Sequence, residues 1–82
     1  GKVDMATLKN ALAWCKENAS YSTTYDEIAA QFGAHGKQEK SLFEQNTIYR
    51  WWATDDAYVK ITFTLGDGGT ELWNITQYNG VD

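Results

Sequence analysis

Cys15 and His35 are the only thiol and the only imidazole in this chain, and they are the residue types of a nucleophile–base pair. A thiol attacks only as thiolate, which needs a base or a positive field, and the base needs a third group to orient it. The local sequence argues for a different role. Cys15 falls on an apolar helical stripe, where a cysteine acts as a small buried hydrophobe, and His35 lies between Ala34 and Gly36 in a turn. One Cys with one His falls short of a zinc site, and one Cys forms no internal disulfide. Asp26 and Glu27 are adjacent carboxylates, but helical neighbours diverge by about 100° and do not converge on one site. Gly66-Asp67-Gly68-Gly69 lacks the following helix and the Lys-Ser/Thr pair of a phosphate loop, and Asp55, Asp56 and Asp67 match no calcium loop. No catalytic, cofactor-binding or metal-binding residue is assigned, and the chain is not expected to be an enzyme.

The elements that position these residues fall into two halves. Met5, Leu8, Leu12, Cys15 and Ala19 recur at helical steps and predict a helix over about 5–18, with Asp4 as its N-cap. Thr24-Tyr25-Asp26-Glu27 is a capping box that opens a second helix over about 25–32, and Gly33 stops it. Then the period changes to two. Ala57, Val59, Ile61, Phe63 and Leu65 alternate with Tyr58, Lys60, Thr62 and Thr64, a strand with one dry face and one wet face. Thr47 to Ala53 and Thr70 to Tyr78 read as further strands, with turns at Thr54-Asp55-Asp56 and Gly66 to Gly69. Lys37 to Phe43 reads as a weaker edge strand. The expected fold is α+β in the order α-α-β-β-β-β, two helices packed on one face of a three- to four-stranded antiparallel sheet. Leu8, Leu12, Cys15, Ile28, Phe32, Val59, Ile61, Phe63 and Ile75 form the expected core.

Eighty-two residues make one domain, 1–82, expected to be excised from a longer protein. The net charge of −4 disfavours phosphate backbones, so nucleic acid is not an expected partner, and no apolar run is long enough to span a membrane. Aromatic residues reach 15%, a large load for a small core, and part of it is expected at a recognition surface. Trp51 and Trp52 carry most of that argument. Adjacent strand residues point to opposite faces, so one Trp enters the core and the other must face outward. Parity groups Tyr49 with Trp51 and Ile48 with Trp52, and the first pair is assigned to the open face with Tyr58, Lys60 and Tyr78. Asp55 and Asp56 would add an acidic contact from the turn. These seven residues are the expected partner-binding site.

The stretch STTYDEIAAQFGAHGK, with Thr24, Glu27, Gly33 and Gly36, resembles the second helix and glycine-rich exit of beta-lactamase-inhibitory-protein-like domains. ITFTLGDGGTELWNITQYNGV resembles their closing hairpin, through Ile61 and Phe63, Asp67-Gly68, Ile75 and Gln77, and Gly80-Val81. Tyr49-x-Trp51 resembles the aromatic pair between them. The resemblance implies the two-helix, antiparallel-sheet fold and an extracytoplasmic or cell-surface setting. It also implies a lipoprotein-type parent, in which a lipid anchor would lie outside this chain, and action by binding other proteins. The founding inhibitor carries two such domains with a disulfide in each, whereas this chain has one Cys, so no inhibitory residue is carried over.

The leading functional expectation is a non-enzymatic protein-interaction module. The alternative is a winged-helix DNA-binding domain, in which TYDEIAAQFGAHGK opens a helix-turn-helix and SLFEQNTIYRWW supplies a recognition helix and wing. That segment offers only Lys40 and Arg50 as cations, and Ile48, Tyr49, Trp51 and Trp52 favour a strand.

Overall fold

The computed structural model describes all 82 residues. Helix α1, Met5–Asn18, starts where the Asp4 carboxylate accepts the Thr7 amide at 2.7 Å. It buries Leu8, Ala11, Leu12 and Cys15 along one stripe. Helix α2, Tyr25–Phe32, carries the full capping box: Thr24 Oγ1 accepts the Glu27 amide, and Glu27 Oε1 accepts the Thr24 amide, each at 3.2 Å. Gly33 ends α2 at φ 67°, a left-handed cap that a side chain would strain.

The rest is a meander of four antiparallel strands in sequential order: β1 Lys37–Glu39, β2 Asn46–Thr54, β3 Ala57–Leu65 and β4 Glu71–Asn79. Two helices followed by a four-stranded antiparallel sheet is the layout expected from the change of hydrophobic period. No helix is long and apolar enough to cross a membrane. β1 is shorter than the expected Lys37–Phe43 strand. The Ser41 hydroxyl accepts the Phe43 amide and Phe43 O accepts the Asn46 amide, a local turn that ends pairing and leaves Leu42 and Phe43 exposed. The winged-helix alternative needs a helix in this region, and from Asn46 onward the chain is strand.

Both helices cover one face of the sheet. The core joins Leu8, Leu12 and Cys15 of α1 and Ile28 and Phe32 of α2 to Val59, Ile61 and Phe63, as the sequence patterning indicated. Trp51 is its largest member. It is fully buried, stacked on Phe32 at 4.2 Å and 8°, with its indole N–H donating to Ala34 O at 2.9 Å. That donation matters, because a buried indole N–H without an acceptor costs about 1–3 kcal/mol.

Trp51 in the core corrects the expected register, and the cause is a β-bulge. Thr54 pairs with Ala57 across the Asp55-Asp56 turn. An uninterrupted ladder from there would set Trp52 opposite Val59, turning Trp51 and Tyr49 outward. Ala53 is the extra residue. It shifts the ladder by one, so Trp51 meets Val59 and Tyr49 meets Ile61 on the helix side. A second bulge acts on β4. Leu65–Glu71 to Phe63–Trp73 is regular, and its continuation would set Ile75 opposite Ile61 and Tyr78 opposite Tyr58. Asn74 is inserted instead, so Ile75 meets Thr62 on the open face and Tyr78 meets Val59 on the helix side. Ile75 is therefore 50% exposed and is not a core residue.

The packing around Trp51 predicts a clear hierarchy. Trp51→Ala, like Phe32→Ala or Phe63→Ala, should cost roughly 3–5 kcal/mol in urea melts, and Trp52→Ala about 1 kcal/mol or less. Gly36→Ala would place a methyl 2.8 Å from Trp51 Cζ2 and 2.7 Å from Tyr49 Cβ. It should cost about 1–3 kcal/mol by overpacking. Equal melts for Trp51→Ala and Trp52→Ala would reject this register.

Candidate functional site

The sheet face away from the helices is uncovered, and the register fixes what stands on it. Lys37, Arg50, Lys60 and Gln77 lie side by side across all four strands. Trp52, Tyr58 and Asn79 form the row on one side of them. Glu39, Ile48, Thr62 and Ile75 form the row on the other. Like charges abreast on neighbouring strands repel, so three adjacent cations need compensation. Glu39 supplies it, with Oε1 3.1 Å from Lys60 Nζ and Oε2 3.8 Å from Arg50 Nη1. The Arg50 guanidinium also stacks 4.3 Å over the Tyr58 ring and donates to Asp55 O at 3.2 Å. Three cations against one carboxylate leave this face positive in a chain whose net charge is −4. Below them, Asn74 Nδ2 donates to Thr64 Oγ1 at 2.8 Å, and Thr64 Oγ1 donates to Asn46 Oδ1 at 3.3 Å.

The residues assigned from sequence divide between the two faces. Tyr58 and Lys60 stand on the open face as expected. Asp55 and Asp56 are exposed in the turn at its end, where Arg50 and Asn79 reach their carbonyls. Tyr49 and Trp51 are corrected to the helix face for the reason given above. Tyr78 is also corrected: it lies on the helix side of β4, half-exposed, with Lys16 Nζ 4.3 Å over its ring. Trp52, Arg50, Glu39 and Ile48, with Lys37, Ile75, Gln77 and Asn79, are open-face residues that the sequence reading missed. The alternation already paired Trp52 with Ile48, so the signal for both was present with the faces exchanged.

The buried side holds groups tuned for packing. Burial pushes the Cys15 thiol up to about 11, so it is protonated at neutral pH. The Tyr25 hydroxyl accepts the Gly36 amide at 3.1 Å and sits 3.2 Å from His35 Nδ1, which ties His35 to the exit of α2. Tyr49 donates to Glu71 Oε1 at 2.9 Å. Burial, with the hydrogen bond to Glu71 and its charge, pushes the Tyr49 phenol up to about 12.

No protein-family model, curated protein or solved structure matches this chain.

The shifts of Cys15 and Tyr49 predict an alkaline limit to stability. The fold holds both groups protonated, so the unfolded chain releases their protons at lower pH than the folded one. Their contribution is complete below about pH 9 and is lost as pH rises through the thiol range to about 11 and the phenol range to about 12. Burial and the nearby Lys37 hold the Gly1 ammonium below its ordinary value, so urea midpoints should rise slightly toward about pH 8 and fall above about pH 9. Cys15→Ala should remove the early part of the fall and Tyr49→Phe a share of the late part, the rest belonging to Tyr25, whose phenol burial also pushes up. A thiol reagent should label native Cys15 slowly at neutral pH; rapid labelling would contradict its burial.

Proposed function

We propose that this protein is a non-enzymatic interaction module that binds a protein partner through the open face of its sheet. The observation that carries the reading is the content of that face. Trp52, Tyr58 and Arg50 stand together on an uncovered, rigid sheet, and these are the three residue types enriched at binding hot spots. Their positions are fixed by the ladder and by the Arg50–Tyr58 stack, so little side-chain freedom remains to be lost on association. The three long strands present a face on the order of 15 Å by 30 Å. That is short of the ~800 Å² each partner buries in a standard interface, so the Asp55-Asp56 turn is taken as part of the contact. The row of Lys37, Arg50 and Lys60 favours acidic groups on the partner opposite it, while the Asp55-Asp56 turn calls for a basic group at its end of the contact.

The resemblance to beta-lactamase-inhibitory-protein-like domains supports this reading from a different direction. It supplies the same layout, action by protein binding, and an extracytoplasmic setting with a lipoprotein-type parent.

The experiment is capture from a native extract, followed by titration of the purified captured protein. Trp52→Ala and Tyr58→Ala should each weaken binding by at least about 30-fold, the loss expected for a central anchor, while the melting temperature falls by no more than about 4–8 °C. Unchanged binding by both variants would reject the open face as the site. Salt-sensitive capture of DNA in place of protein would reject the proposed class of function.

A further inference from the structure

A sheet of four strands has two edges, and this molecule treats them differently. The edge at β1 is guarded. β1 has three residues and carries Lys37 and Glu39. Beyond it the N-terminal segment covers β2: the Val3 amide donates to Trp52 O at 2.9 Å, the Trp52 amide to Gly1 O at 3.1 Å, and the Gly1 ammonium to Arg50 O at 2.9 Å. Short length, charge and a covering segment are the ways proteins prevent edge pairing.

The β4 edge has almost none of this protection. It is nine residues long, and no charged residue occurs from Leu72 to Val81. Only its start is covered, by the Trp73 amide donating to Thr23 O at 2.7 Å and the bridge from Leu72 to Thr24. The Leu65 amide donates to Gln45 O on the far side of β3, and the ladder alternates, so Ile61 and Val59 also turn their amides away from β4. Their β4 partners, Thr76 and Tyr78, therefore direct their own amides and carbonyls outward. No backbone partner meets them there.

The geometry points to a second copy of this chain as the occupant of that edge, paired antiparallel through β4 about a two-fold axis at Gln77. Thr76 of each copy then exchanges backbone hydrogen bonds with Tyr78 of the other. Gln77 meets itself on the open face, and its side-chain amide carries both a donor and an acceptor, so it is its own complement. The strand itself brings no like charges opposite each other, which self-pairing requires, and the cation over the Tyr78 ring, Lys16, lies on the helix side of the pair. The product is an eight-stranded sheet whose two open faces run on continuously. This inference stands apart from the partner reading above, since it uses the edge and not the face.

Sedimentation of the full chain tests it. Average mass should rise from 9.3 kDa toward twice that value over a concentration series reaching about 1 mM. Raising salt should tighten the dimer, because each copy carries −4, whereas binding of an acidic partner to the open face would weaken. The Thr76 and Tyr78 amides should gain protection from hydrogen exchange as concentration rises. Tyr78→Pro removes one outward amide without touching the β3 ladder, and should shift the dimer midpoint at least about tenfold. If that variant does not fold, Gln77→Glu serves. It faces Lys60 within the chain and its own copy across the axis, so the monomer tolerates it while the dimer weakens by a similar factor and recovers in salt. A chain that stays monomeric throughout overturns the proposal, even if another protein's strand proves to add there. So does a dimer indifferent to whichever of these variants folds.

Discussion

Everything on this sheet depends on which side of β2 receives Trp51. With its ring flat against Phe32 and its N–H on Ala34 O, this one side chain joins β2 to α2 and to the loop that leaves it. The loop passes so close that Gly36 has no room for a methyl group. Trp51 is the largest fully buried side chain of the core, in a domain too small to spread the packing over many residues. Tyr25, Tyr49 and Phe63 extend the cluster with tilted and edge-to-face contacts at 4.3 to 5.6 Å. Once Trp51 is inside, strand alternation places Arg50 and Trp52 outside, with no further choice left.

What could be read from the sequence follows from how local each cause is. The helices were legible because their stops and starts are short-range chemistry: the Asp4 cap, the Thr24–Glu27 box and the left-handed Gly33 all occur where the sequence put them. β3 was legible because its alternation is uninterrupted across nine residues. The pairing register was not, because a bulge is one extra residue with no motif of its own here. Ala53 and Asn74 each move a ladder by one, and a shift of one exchanges the faces. Those two insertions account for the misplacement of Tyr49, Trp51, Ile75 and Tyr78 together. Tyr58 and Lys60 were placed correctly because they lie on β3, the strand to which both shifted ladders are referred.

The same shift determines the electrostatics of the open face. Had β2 been offset by one residue, Arg50 would have entered the helix side, where a guanidinium without a carboxylate partner would carry a large desolvation cost. In the observed register it lies between Lys37 and Lys60, a placement that is unfavourable until Glu39 is counted. Glu39 reaches two of the three cations from the edge strand, so β1, only three residues long, contributes charge more than hydrogen bonding. All three side chains are between about a quarter and a third exposed, which keeps each pair worth little on its own. The network therefore orders the face more than it stabilises the fold.

Stability and recognition are thereby written into alternate residues of one strand. Tyr49 and Trp51 hold the helices, and Arg50 and Trp52 stand on the free side, so the aromatic load that exceeds what a small core needs is divided by parity between two tasks. The division has a physical consequence. Changes at odd positions of β2 are felt through the Phe32 stack and the Glu71 hydrogen bond, and thus through folding. Changes at Arg50 and Trp52 leave those contacts intact and act on the open face, through the Tyr58 stack, the Glu39 pair and the Asp55 carbonyl. A surface of this kind can vary in sequence without loss of fold, because the bulge at Ala53 and the burial of Trp51 fix its geometry from the opposite face.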